Sequence, residues 1–292
     1  MYFYKNGNYV VQLYSDGTKI RTTENDEFIP SFSECCDVKI TDYCDNGCKF
    51  CYEGCSLNGK HGELFNYPFL NTLHPYTELA LNGNDLSHPD LEKFLFFLKG
   101  KKIVTNMTVN QNHFEKNYDK LLYWSKSRLI KGLGISLNNS NCNLDRIVNF
   151  PNSVIHVISG VFNQNDFDNL KDKNAKVLFL GYKKLGRGNN FYDINKVKID
   201  NNISWLKNNI IDFPNHFEII SFDNLAIKQL SLKNKFSKSW EKYYMGDDGK
   251  YTFYIDLVKG VFAKNSLSLK RFPIGNLSID EMFKIIQNEN SD

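Results

Sequence analysis

The chain has 292 residues, of which 41% are hydrophobic and 24% charged, and carries a net charge of +3. That balance is ordinary for a folded globular protein and excludes wholesale disorder, a collagen-like repeat and a coiled-coil rod. The charge is too mild to signal a nucleic-acid binder. No apolar run approaches the roughly 20 residues of a membrane helix, and Met1 to Asn6 lead into no signal-peptide core. The expected location is therefore cytoplasmic, with the seven cysteines reduced rather than paired.

Residues 1–36 read as a β-hairpin extension. Two strand-like runs, Tyr9–Tyr14 and Lys19–Arg21, flank Ser15-Asp16-Gly17-Thr18, and Asp-Gly between such runs signals a tight turn. The aromatics Tyr2, Phe3, Tyr4, Tyr9 and Tyr14 are expected to lie exposed there, covering the sheet or offering an edge to an added peptide strand. From residue 37 short apolar runs alternate with amphipathic stretches. Strands are predicted at Asp37–Thr41, Glu78–Leu81, Lys102–Thr108, Gly132–Leu137, Val154–Ile158 and Lys176–Leu180, and helices at Leu91–Leu98 and Tyr118–Ser127. Such alternation predicts parallel β/α units, with ligands gathered at the C-terminal ends of the strands. The unit is taken as residues 37–215. Residues 216–292 change texture and read as a small α+β appendage: a Lys-rich helical stretch, a strand at Tyr251–Asp256 and a last helix from Asp280. The Lys228–Lys242 run is expected to be a solvated helix face.

Four cysteines fall within twelve residues: Cys44, Cys48, Cys51 and Cys55. Thiolates so close can converge on one inorganic centre, and such sets favour zinc or iron–sulfur. Four ligands from one tight loop are unusual for structural zinc. The C-x3-C-x2-C triplet just after the first core strand suits three irons of a [4Fe–4S] cluster, with the fourth iron open.

Cys44-x3-Cys48-x-Phe50-Cys51, following Val38-Lys39-Ile40-Thr41, resembles the signature of the radical S-adenosylmethionine (radical SAM) superfamily. Further stretches resemble it in order. Asn82-Gly83-Asn84 stands where the family carries Gly-Gly-Glu, which holds the SAM amino group; here the carboxylate is replaced by Asn84. Asn106 resembles the end of the third strand, Ser136 the fourth, and Leu180 to Gly188 the exit of the sixth. The resemblance covers about residues 37–192. Gly246-Asp247-Asp248-Gly249 and Gly275-Asn276 faintly resemble the SPASM/twitch part of peptide-modifying relatives. No cysteine follows Cys142, so a second cluster is not expected.

The resemblance implies an α/β fold with a partial (β/α)6 TIM-like barrel and a single [4Fe–4S] cluster on Cys44, Cys48 and Cys51. SAM would be cleaved reductively there, with electrons from a flavodoxin- or ferredoxin-like donor. Phe50, Asn82, Gly83, Asn84, Asn106 and Ser136 are the candidate SAM contacts. Cys55, Cys142 and Arg187 are candidates for the reaction itself: Cys55 as a structural or substrate-facing thiol, Cys142 as a quenching thiol, Arg187 as the partner of a SAM or substrate carboxylate. Cys35 and Cys36 read as packing residues before the first core strand. His61, His88 and His113 read as hydrogen bonders in loops. The implied substrate is a peptide or protein. The alternatives are a nucleoside or nucleotide, another small molecule, or a non-catalytic protein holding zinc or a cluster on the same fold.

Overall fold

Residues 1–82 and 86–289 are described in a computed structural model of the chain. Strands β1 (Tyr2–Asn6), β2 (Tyr9–Leu13) and β3 (Lys19–Thr22) form a small antiparallel sheet in that order. The β2–β3 connection is the expected turn, with Tyr14 N–H donating to Thr18 O at 2.9 Å. The main sheet uses β4 (Cys35–Lys39), β5 (Glu78–Asn82), β6 (Val104–Asn110), β7 (Gly132–Ser136), β8 (Ser153–Ile158), β9 (Lys176–Leu180), β10 (Ile219–Phe222), β11 (Thr252–Asp256), β12 (Val261–Ala263) and β13 (Phe272–Pro273). Its ten strands run in the order β10-β9-β8-β7-β6-β5-β4-β11-β12-β13. Pairing is parallel from β10 through β4 to β11 and antiparallel beyond. The fold is thus α/β with a large, mostly parallel sheet. Residues 216–292 extend it on both sides, through β10 and through β11 to β13.

Parallel neighbours need crossover connections, which helices supply. They are α1 (Leu91–Gly100), α2 (Gln111–Lys116), α3 (Tyr118–Lys126), α4 (Leu144–Val148), α5 (Gln164–Leu170) and α6 (Arg187–Asn209), followed by α7 (Asn224–Leu230), α8 (Leu232–Lys235), α9 (Trp240–Tyr243) and α10 (Ile279–Glu289). In α1, Leu91, Phe94, Leu95 and Leu98 are buried, the one-faced spacing of an amphipathic helix. Helix α10 repeats it with Ile279, Met282, Phe283 and Ile286. Ser278 and Glu281 cap its start reciprocally, at 2.8 and 3.3 Å. The Lys-rich run is not one helix face: it is broken at Ser231, which adopts φ 56 between α7 and α8. Among the described residues no helix is long and apolar enough to cross a membrane.

Each parallel strand has two unlike faces. Leu79, Leu81, Val109, Leu133, Ile135, Ile155, Val157, Val177 and Phe179 are buried and pack with Phe94, Leu98, Trp124 and Leu206 of the helices. The alternate positions, among them Ala80, Asn82, Asn106, Thr108, Gly134, Ser136, His156 and Leu178, face a cavity of about 1010 Å³. Sheets of this kind are commonly apolar on both faces; this one keeps small and polar groups on one side of β5 to β8.

The N-terminal sheet closes the end of the cavity where the strands begin. Lys19 on β3 pairs with Glu34 at 3.1 Å and Glu78 at 2.6 Å, and Arg21 pairs with Glu34 at 2.7 Å. Lys131 Nζ donates to Tyr14 O at 2.9 Å, holding the turn over the strand starts. Tyr2 and Phe3 are exposed, but Tyr9 is not. Its ring meets Phe28 and Tyr251 edge-on and its hydroxyl donates to Glu34 at 2.7 Å. Cys35 and Cys36 lie within β4 rather than before it, and burial pushes both thiols up, Cys36 to about 12.

Candidate functional site

The cysteine loop begins where β4 ends and covers the opposite end of the cavity, through Phe50 and Tyr52. It is closed on itself: Cys44 N–H donates to Ser56 O at 3.0 Å, Ser56 N–H to Asp42 O at 3.1 Å and Asp42 N–H to Lys60 O at 2.8 Å. Lys39, the last residue of β4, sits beneath it. Its ammonium pairs with Glu53 at 2.6 Å and with Asp42, and lies 3.9 Å from Asp256. Opposite charges on this nearly buried amine hold the loop's two flanks to one point. On its other side the loop docks on α2, where Asp45 bonds His113 and Asn46 Oδ1 accepts from Asn112 at 2.6 Å.

The thiols sit in distinct surroundings. Cys48 Sγ accepts from Asn46 Nδ2 at 2.9 Å and from Asn110 Nδ2 at 3.8 Å. Burial raises its pKa, against the Asn46 amide, which lowers it. Cys51 is held toward its thiolate, chiefly because the Cys55 thiol donates to it. Backbone N–H groups of Cys55 and Gly54 and the Arg187 charge act in the same sense. Cys44 and Cys55 are both buried. Amide and thiol donors aimed at sulfur suit a thiolate-bound centre, so the donor chemistry fits. Among the described residues, however, no three His, Cys, Asp or Glu side chains are gathered as a metal-holding group.

Arg187 stands close by and, among the described residues, meets no carboxylate. Its Nε donates to Cys48 O at 2.9 Å and its Nη1 to Cys55 O at 2.7 Å. Its own N–H donates to Cys51 O at 3.0 Å. It is a positioning residue that clasps the loop backbone. Gly186 makes the approach possible: it adopts φ +52, and a Cβ there would lie 2.5 Å from Tyr52 O.

The remaining candidates divide. Asn82 and Ser136 end β5 and β7 and face the cavity, with Phe50 across from them. Gly83 and Asn84 lie outside the described residues. Asn106 also lines the cavity but is not at a strand end. Strand β6 continues to Asn110, and the Asn106 amide is committed at the strand starts, donating to Glu78 at 3.2 Å and accepting from Gly132 N–H at 3.0 Å. Asn110 holds the end position. It exchanges bonds with Asn138, both at 2.7 Å, and caps α2 through Asn112 N–H at 2.9 Å. The Asn-Gln-Asn run carried that cap signal. Cys142 packs against the core and is absent from the cavity wall; burial raises its pKa. His88 Nε2 donates to Gly62 O at 2.9 Å, and His61 bonds Thr41, so both serve the loop's base.

The chain matches no known protein-family model, and no curated protein matches it.

Several wall residues went unread in the sequence. Asp37 faces the cavity from mid-β4, and enclosure pushes its carboxyl up to about 6 against the pull of Lys183. Lys183 Nζ donates to Ser266 at 3.0 Å and lies 4.0 Å from the Tyr52 ring centre. Asp223 sits across from Asp37 and accepts from Gly181 and Ala226 N–H groups at 2.9 and 2.7 Å. His156 projects from β8. The signal for these was a polar residue at a cavity-facing position inside an apolar strand, as in Val154-Ile155-His156-Val157-Ile158.

Proposed function

We propose that the protein is a radical SAM enzyme acting on a peptide or protein substrate in the cytoplasm. One observation carries the reading. The loop bearing C-x3-C-x2-C leaves the C-terminal end of β4 and forms, through Phe50 and Tyr52, a wall of a cavity into which Asn82 and Ser136 project from neighbouring strand ends. In this reading the curved sheet from β4 to β9 is a partial (β/α)6 barrel, and ligands belong at that face.

Cys44, Cys48 and Cys51 would hold a [4Fe–4S] cluster. When bound, it supplies one electron that splits the sulfonium of SAM into methionine and a 5′-deoxyadenosyl radical, which takes hydrogen from the substrate. A flavodoxin- or ferredoxin-like protein would supply the electron. The chain's own residues bind, orient and shield. Arg187 and Lys39 fix the loop, Asn46 and Asn110 donate to Cys48 sulfur, Phe50 packs at the adenine, and Ser136 and Asn82 present polar groups to the ribose and methionine parts. The sheet and the N-terminal hairpin keep bulk water from the reacting centre.

The test is anaerobic reconstitution with iron and sulfide, followed by SAM and a reductant. The expected result is a brown protein that forms 5′-deoxyadenosine, with product abolished in Cys48→Ala. One colourless zinc-bound chain that makes none refutes the reading and favours a non-catalytic metal protein.

A further inference from the structure

Midway along the cavity wall the structure holds a polar group that the proposed chemistry does not use. His156 projects inward from β8, and its ring lies flat against Gly134 of β7. A Cβ on Gly134 would stand 2.2 Å from the imidazole Cε1 and 2.4 Å from Nε2, so the bare backbone there is the seat of the ring. Thr108 lies beside Gly134 in the register of β6 and β7 and also faces the cavity. Among the described residues the His156 imidazole and the Thr108 hydroxyl have no hydrogen-bond partner. Enclosed polar groups are nearly always bonded to protein, water or ligand, so both are available to whatever enters.

Most charges on the same wall are committed to protein partners; Asp37 of β4 is the exception, with no hydrogen bond or ion pair among the described residues. Lys19 pairs with Glu78 and Glu34, Lys131 donates to Tyr14 O, and Lys176 lies 3.7 Å from Glu218. On β6 and β8 the uncommitted groups, Thr108 and His156, are uncharged. Burial lowers the imidazole pKa to about 4, and a neutral imidazole offers one donor and one acceptor. One of the ring nitrogens, taken with the Thr108 hydroxyl, can meet a ligand that presents both an N–H and a C=O.

We propose that His156, seated on Gly134 and joined by Thr108, forms a subsite for the neutral amide edge of a ligand. That chemistry occurs in a peptide amide and in the lactam of a nucleobase. The proposal deepens the reading above by naming what part of the substrate is held, and its test needs no cluster.

The full-length chain, prepared without iron and labelled with 15N at histidine, is titrated with N-acetylglycinamide and separately with uracil, each to its solubility limit. The His156 ring resonances are followed by long-range 1H–15N correlation, with His216, a surface histidine bonded to Asp172, as the internal control. A saturable shift at His156 alone supports the subsite. If only the glycinamide causes it the source is a peptide; if only uracil does, a nucleobase. Gly134→Ala is expected to keep the imidazole but abolish the shift. Thr108→Val, nearly isosteric, is expected to weaken binding about fivefold, the usual worth of one neutral hydrogen bond. No shift with either probe overturns the proposal, as does unchanged affinity in Thr108→Val.

Discussion

Arg187→Ala isolates what holds the cysteine loop. The guanidinium donates to two loop carbonyls, Cys48 O at 2.9 Å and Cys55 O at 2.7 Å. Hydrogen bonds from a charged donor are worth about 1.5–3 kcal/mol each. The two bonds are only partly buried, so water competes, and the pair together is taken at about 2 kcal/mol. At about 1.4 kcal/mol per factor of ten, local opening of the loop should become about 30-fold more populated. The assay is the alkylation rate of Cys55 in the metal-free chain, with Cys55→Ser to assign the signal, because that thiol is only 8% exposed when the loop is closed. Local opening governs such rates when closing is fast. Arg187→Lys should recover only part of the protection, since an ammonium cannot reach two carbonyls with one rigid fork. An alkylation rate in Arg187→Ala equal to that of the parent, at equal global stability, would refute the clasp.

Three other outcomes are expected. Glu34→Gln leaves Arg21 without its buried carboxylate partner and should cost about 3 kcal/mol in urea unfolding; a loss below about 1 kcal/mol would mean that the network contributes little. His156 and Asp37 should act on stability with opposite signs. The imidazole falls from 6.5 in the unfolded chain to about 4, so its share of stability is lost as pH falls below 6.5, at no more than about 1.4 kcal/mol per pH unit. The carboxyl rises from 3.8 to about 6, so its share is lost as pH rises through that window. Between pH 4 and 6 His156→Gln should therefore flatten the acid side of the urea-midpoint profile and Asp37→Asn the alkaline side; identical profiles for both variants would contradict the assigned directions. In native-state hydrogen exchange, Cys51 and Gly54 amides should exchange well before those of Leu13 and Ile20.

The alternation of strands and helices was legible because it is local. Apolar residues recur at two or at three-to-four positions within one element, and the strands fall within one or two residues of where that period puts them. The strand from Lys176 to Leu180 falls where it was read. What depends on contacts between elements was not legible. The alternate residues of β5 to β8 share one cavity wall through pairing across strands, which no local period reports; His156 stood out only as a polar residue inside an apolar strand. Asn106 was misplaced because Val104–Asn110 is one unbroken strand; its end is marked by the Asn110 cap rather than by the earlier Thr-Asn pair. Arg187 also clasps the cysteine loop, a role that its place in the sequence did not reveal. Its actual partners are carbonyls 139 and 132 residues away in the chain, and no local pattern reports a backbone acceptor at such a distance.

The two closures of the cavity are built from different physics, and the difference gives the cavity a direction. At the strand starts the hairpin is held by ionised groups with almost no water: Glu34 is fully buried between Lys19, Arg21 and Tyr9. Opening that end would expose several charges at once from a low-dielectric site, a concerted and costly event. At the strand ends the loop is held largely by single, partly buried hydrogen bonds to its backbone, with one buried anchor at Lys39. Such contacts break singly, and segments held that way lie at the low end of local stability. Exchange between cavity and solvent therefore belongs at the cysteine-loop end, past Phe50 and Tyr52. A ligand entering there passes Phe50 and Tyr52 before it reaches Ser136 and His156 on the cavity wall.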